Sequence, residues 1–564
     1  MAEAALGRAL RPALSADQRL VGLALGAAGL LMLVALVLPL GWLLVRAFQD
    51  AQGGFAGLAN FAAYVATPSL AVSAWNSLWT AAVTTLLVVP AAFAYAYALT
   101  RSCMPLKPAF RAVMLLPVLA PSLLPALALV YLFGNQGMLR GLLMGESVYG
   151  PIGIVMAQVF YCFPHAALIL SVALSGADGR LYEAAAALKA GRGRIFATVT
   201  LPGALGGVVS ACVVVFTLVV TDFGIPKVIG GQFPVLATEI YKQVIGQQNF
   251  NMGAVVGLVL LLPALGAFLL DLWAQRRQGS VFSGRAVPLE PRPRAARDWP
   301  LLAFCLVVAG LLLGVVGLAV WGSFIRFWPW NLELTLANYD FARFDSAGWG
   351  SLWTSIRMAF WTALLGTVLV FLLAYMIERG RAGGPLPRLL SLSATLPLAV
   401  PGLVLGLAYI LFFNDPSNPL GFLYGTLAIL VLNSIVHFYT VCHLTAVTAI
   451  RQLDPEFESV GASLKVPVWV TFWRVTLPIC LPATLDIFVY LFVNAMTTVS
   501  AVVFLYGPDT KPASVAVIHM DEAGQASAAA AMAVAILAVN VALKLLHLAG
   551  AGRIERATQA WRRR

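Results

Sequence analysis

The stretch "EAAAALKAGRGRIFATVTLP", Glu183 to Pro202, is an alanine-rich, basic segment set between two long apolar runs. Glu183 to Ala190 are good helix formers. Glu183 is expected in the first turn, where a carboxylate suits the positive end of the helix dipole. Ala184 to Ala187 leave the helix surface thin enough for another backbone to approach. Gly191 and Gly193 are expected to supply a sharp turn. A second short helix, Arg194 to Thr200, is expected to stop before Pro202 as the chain enters the next apolar run. "ESVGASLKVPVWVTFWRVTLP", Glu458 to Pro478, ends on the same Val-Thr-Leu-Pro, 276 residues later.

Two water-facing helices of one design are unusual in this composition. Of 564 residues 60% are hydrophobic and 11% charged. Soluble globular chains carry about 25% charged residues. Apolar stretches of roughly 20 residues recur along the whole length, as a polytopic membrane protein requires. Twelve helical spans are expected near 21–47, 77–99, 109–133, 151–175, 205–224, 253–274, 300–322, 351–377, 389–413, 425–449, 480–505 and 526–548. If the N-terminus lies inside, about 28 of the 36 Lys and Arg fall in or at the edges of the N-terminal segment, the even-numbered connections and the C-terminal tail. That bias places both quoted loops and both termini in the cytoplasm. It also accounts for the net charge of +12 without a nucleic-acid partner.

Other landmarks repeat in the same order. "LANF" at Leu58–Phe61 returns as "LANY" at Leu336–Tyr339, and "LPVLAP" at Leu116–Pro121 as "LPLAVP" at Leu396–Pro401. An ordered set with a near-constant offset marks an internal duplication. The chain therefore reads as an all-α polytopic protein of two homologous six-span units in parallel orientation. The first unit is 1–275 with its loop at 176–204, and the second is 300–564 with its loop at 451–479. Between them, 276–299 is a polar, Pro- and Arg-rich linker. Pro117, Pro121, Pro397 and Pro401 interrupt the third and ninth spans and should kink them. The six cysteines form no CxxC pair and read as small hydrophobes.

Each quoted loop resembles the EAA loop of permease subunits in bacterial ATP-binding-cassette (ABC) importers, which reads E-A-A with glycine at the seventh place and ends on Leu-Pro. The first loop matches at Glu183, Ala184, Ala185, Leu188, Leu201 and Pro202; it has Lys189 at the seventh place, with glycine displaced to Gly191. The second is more divergent. Counted back from Leu477 and Pro478, Ser459, Val460 and Gly461 occupy the E-A-A places, Glu458 lies one residue early, and Leu464 is followed by Lys465 at the seventh place. The resemblance implies the type I importer permease fold in the bacterial inner membrane. It also implies two coupling helices seated on an ATPase, expected to be a homodimer, and a periplasmic binding protein that delivers the solute.

No GxxxxGK[ST] occurs, so ATP and Mg belong on the partner ATPase, and this chain is expected to bind no cofactor. Neither HExxH nor GxSxG is present, and no catalytic or metal site is expected. The fused layout resembles ferric-iron importer permeases. The stretch Tyr490 to Gly524 resembles permeases of 2-aminoethylphosphonate import, and that solute is the expected cargo, with ferric iron as the alternative. A proton-coupled secondary transporter also has two six-span repeats, but "TRSCMPLKP" between the second and third spans lacks that class's Gly-x-x-x-Asp-Arg pattern.

Polar residues inside spans are functional candidates because hydrocarbon penalises them. They include Asn76, His165, Asn433, Ser434, His443 and Asp486. The expected translocation path is Tyr161, Asp222, His437, Asn494, Thr497 and Thr498. Asn494 and Thr498 would donate to a phosphonate and Asp222 would meet its amine. The stretches Phe223–Asn251 and Leu505–Gly524 are expected to be outer loops long enough to touch the binding protein.

Overall fold

A computed structural model describes residues 16–278, 287, 289–379, 385–454 and 456–558. Arg8, Arg11, linker residues 279–286 and 288, and the tail arginines 562–564 lie outside the described residues. Among the described residues ten helices are long and apolar enough to cross a membrane: α1 (Arg19–Ala47), α2 (Pro68–Arg101), α5 (Pro151–Ser175), α7 (Arg192–Thr221), α9 (Phe250–Ala274), α10 (Ala295–Phe324), α11 (Trp349–Arg379), α14 (Leu427–Arg451), α16 (Val468–Thr497) and α18 (Ala526–Gly550).

The third and ninth expected spans are instead bent pairs. α3 (Lys107–Leu119) meets α4 (Leu123–Phe133) at 97°, and α12 (Leu386–Ala399) meets α13 (Gly402–Phe413) at 110°. The breaks fall at Pro121 and Pro401, as each pyrrolidine removes a ladder donor. They are corners rather than kinks. Irregular backbone at membrane depth needs partners from the protein. Asn540 of α18 supplies one, donating to the Leu119 carbonyl at 2.8 Å.

Within each unit the second, fourth and fifth spans form the core: α2, α5 and α7 in the first, α11, α14 and α16 in the second. The first helix of each unit packs on the last span of its own unit and also reaches into the other unit. α1 packs on α13, and α10 packs on α3 and α4. Equivalent tyrosines lock both exchanges. Tyr409 of α13 donates to the Ala35 carbonyl of α1 at 2.6 Å. Tyr131 of α4 lies 3.1 Å from Ser527 Oγ and 3.5 Å from the Gly322 carbonyl of α10. A Cβ on Gly322 would fall 2.6 Å from the Tyr131 ring, so only glycine admits that approach.

The LAN repeats have one purpose in both units. Asn60 donates to the Ala47 and Gln49 carbonyls at 2.9 and 2.8 Å, and Asn338 to those of Ser323 and Ile325 at 3.0 and 2.7 Å. Each asparagine closes the turn that follows the exchanged helix.

The stretches expected as outer loops are folded into the bundle. α8 (Gly224–Ile229) buries Ile225, Pro226 and Ile229, and α17 (Ala513–Glu522) buries Val515, Val517 and Ile518. Their apolar side chains are better placed against α4 and α11 than in water, so little of either stretch remains free.

Candidate functional site

α6 (Gly179–Ala187) and α15 (Glu456–Ser463) are the helices of the two repeated loops, set between α5 and α7 in the first unit and between α14 and α16 in the second. α6 starts earlier than expected. Asp178 is its N-cap, accepting from the Arg180 N–H at 3.0 Å, so Glu183 sits in the second turn and is exposed. Asp454 caps α15 in the same way, accepting from the Glu456 N–H at 3.0 Å.

The sharp turn is not made by Gly191 or Gly193. Gly191 has φ −65° and Gly193 lies inside the next helix. Lys189 has φ +53° and Lys465 φ +56°, the left-handed region. The Ala190 N–H reaches the Ala185 carbonyl at 3.0 Å and the Lys189 N–H that of Ala186 at 2.9 Å. This is a Schellman C-cap, which normally takes glycine at that place. The Val466 N–H reaches the Gly461 carbonyl at 2.8 Å in the second loop. The seventh place therefore keeps the backbone that glycine would give.

Nor does the helix after the turn stop before Pro202. It passes into α7 through a π turn, Phe196–Thr200, and α16 does the same at Phe472–Thr476. A proline ring clashes with the carbonyl four residues back, and a wider turn relieves that clash without ending the helix. Leu201, Pro202, Leu477 and Pro478 thus open the straight part of each span. Leu188 and Leu464, at the loop tips, are 83% and 70% exposed, although both are large and apolar. Ala184 and Ser459 are exposed beside them, Ala185 and Gly461 half-buried.

Between the units lies a cavity of about 360 Å³. Tyr161, Asp222, His437, Asn494, Thr497 and Thr498 all line it, together with His165. Tyr161 of α5 and His437 of α14 are repeat equivalents, as are Asp222 and Thr498 just past the ends of α7 and α16. Asp222 accepts from Gln158 Nε2 at 2.9 Å and from the Ile225 N–H at 3.0 Å, so one carboxylate oxygen holds the start of α8. Asn494 Nδ2 donates to the Tyr490 carbonyl at 2.8 Å and Thr497 Oγ1 to that of Val493 at 3.0 Å. Their donor hydrogens are thus partly spent on their own helix. His437 fits because position 402 is glycine; a Cβ there would lie 3.0 Å from His437 Nε2 and 2.8 Å from Ser500 Oγ.

Asp271, Ser122, Thr217 and Tyr490 also line the cavity and were not singled out from sequence. Asp271 accepts from Ser210 Oγ at 2.8 Å. Its repeat equivalents, His547 and Asp486, form a 3.5 Å pair with donor and acceptor exchanged between the two spans. A carboxylate inside an apolar run was the signal available for Asp271. Other intramembrane candidates serve packing instead. Asn76 donates to the Pro234 carbonyl at 2.9 Å, and Asn433 to that of Ala501 at 2.5 Å. No group of three or more His, Cys, Asp or Glu side chains suited to a metal occurs among the described residues.

The sequence matches the family described as "binding-protein-dependent transport system inner membrane component" twice, over residues 89–279 and 371–556. It is 29% identical over 476 residues to the ferric transport system permease protein FbpB of Actinobacillus pleuropneumoniae, covering 81% of this chain and 68% of that protein. Identity to the putative ferric transport system permease protein FbpB 1 of Haemophilus influenzae is 30% over 442 residues, 75% and 69% of the two chains. The thiamine transport system permease protein ThiP of Brucella abortus is 25% identical over 427 residues, 72% and 74% of the two chains. With two family units, an all-α membrane bundle and a cavity between the units, the chain belongs to the binding-protein-dependent inner membrane components and is an ABC importer permease of the fused, two-unit kind.

Proposed function

We propose that this permease imports ferric iron delivered by a periplasmic binding protein. The observation that carries the reading is the chemistry of the cavity. Among the described lining residues there is no Lys or Arg, while Asp222, Asp271, Tyr161 and Tyr490 bring carboxylate and phenol oxygens. A hard cation suits such oxygens. A phosphonate dianion would need cationic or donor groups, and of the two expected donors, Asn494 and Thr498, the first already donates to its own helix. The two FbpB relatives, named for ferric transport, support the same choice over 2-aminoethylphosphonate.

In this reading the face bearing α6 and α15 is cytoplasmic, as are both termini. Leu188 and Leu464 enter one groove each of an ATPase homodimer, which carries ATP and Mg. Closure of that dimer would drive alternating access of the cavity.

The test is uptake of radiolabelled ferric iron, beside labelled 2-aminoethylphosphonate, into cells that have or lack the chain. Iron uptake that depends on the chain, and that falls several-fold in Asp271→Asn at unchanged membrane level, is the expected result. Chain-dependent uptake of the phosphonate alone would overturn the iron reading and restore the phosphonate.

A further inference from the structure

Each coupling helix is held to its bundle by an arginine at the end of the unit's second span. Arg101, the last residue of α2, is buried and donates to the Leu174 carbonyl at the end of α5 at 2.6 Å. Its guanidinium carbon lies 4.9 Å from the centre of the Tyr182 ring on α6. The Tyr182 hydroxyl donates to Thr200 Oγ1 at 3.1 Å, where α7 begins its straight run. Arg101 and Tyr182 together thereby join α2, α5, α6 and α7.

Arg379, the last residue of α11, is its repeat equivalent. It donates to the Ile450 and Leu453 carbonyls at 3.0 and 2.8 Å, at the end of α14. Its other nitrogen lies 3.4 Å from Glu458 Oε2 on α15, and both side chains are only 13% exposed. Tyr182 and Glu458 are themselves repeat equivalents, 276 residues apart. An aromatic ring and a carboxylate share little except attraction to a guanidinium. Two different partners at one place, each facing the equivalent arginine of its unit, are what a requirement for the link itself would leave.

We propose that Arg101 and Arg379 are positioning residues that transmit movement of the coupling helices to the spans lining the cavity. Motion of α6 or α15 alone would be absorbed at the turns on either side of it. Tied to the end of the second span and to carbonyls of the fourth, the helix must carry both spans with it. Without the tie, an ATPase can bind and close while the bundle stays in place. The two units differ in how the tie is made: the first is a stack and the second an ion pair.

The inference rests on the reading that α6 and α15 seat the ATPase, and the experiment separates the two. The complete permease–ATPase complex is prepared without the permease's six native cysteines, with Val441→Cys of α14 in the cavity and a hydrolysis-blocked ATPase. Thiol labelling is then read with and without ATP. If the ATPase fails to copurify with the parent permease, the docking reading falls and the tie falls with it. With docking intact, ATP should change labelling in the parent, and the change should be lost in Arg379→Gln and Glu458→Lys while the ATPase still copurifies. Glu458→Tyr transplants the first unit's partner and should restore the change, which a merely structural role for Glu458 would not predict. An ATP response retained in Arg379→Gln, or absent in Glu458→Tyr, would overturn the proposal. Tyr182→Glu, which builds the second unit's pair beside Arg101, should respond like the parent and guards against a local folding defect at position 458.

Discussion

Lys189 and Lys465 hold left-handed backbone at the place where the family pattern has glycine. An L-residue there costs roughly 1–2 kcal/mol. Both loops bear that cost at the same position, and both place an exposed leucine immediately before it. A β-branched side chain is worse suited to positive φ than lysine. Lys189→Val should therefore loosen the first loop and lower uptake, whereas Lys189→Gly should keep uptake at the parent level. Uptake by the two variants at matched membrane levels checks this; equal loss in both would show that the lysine side chain matters rather than its backbone. The turn was legible in sequence only as a departure from the pattern. Glycines two and four residues later were the natural assignment, and nothing in composition reveals that a lysine takes positive φ. The hydrogen bonds of the C-cap do.

At the scale of elements, the helix exchange depends on hydroxyls that reach across units. Tyr409→Phe would leave the buried Ala35 carbonyl with one partner fewer, at about 1 kcal/mol. Tyr131→Phe should cost less, because its contact to Gly322 is long at 3.5 Å and its 3.1 Å partner, Ser527, is only half-buried. Thermal unfolding of the purified protein in detergent should rank Tyr409→Phe below Tyr131→Phe, and the opposite order would contradict this account. The existence of the spans was legible because hydropathy and length determine it. Their bounds were less so: α7 begins at Arg192, not near 205, because a π turn carries the helix past Pro202. The corners at Pro121 and Pro401 could be read as interruptions but not as right angles, since the angle is set by packing against α10 and α1. Equally, α8 and α17 are too short for periodicity to separate them from loops.

At the scale of the molecule, duplication is what made function legible. A pseudo-two-fold arrangement brings Tyr161 opposite His437 and Asp222 opposite Thr498, and all six residues expected on the path meet in one cavity. Sequence could nominate them because polar groups in apolar runs are few. It could not weigh them, because whether a donor is free depends on its own helix; Asn494 and Thr497 both donate to carbonyls one turn back. Asp271 was missed although it carries the same signal.

The central claim is that two equivalent loops meet one ATPase each at exposed leucines. Cysteines placed singly at Leu188 and at Leu464, in the complete complex embedded in lipid, test it by cross-linking to the ATPase subunit. The account predicts a cross-linked product from both positions and none from Met144→Cys, an exposed site at the other end of α5 from α6. A product from neither loop position would contradict it.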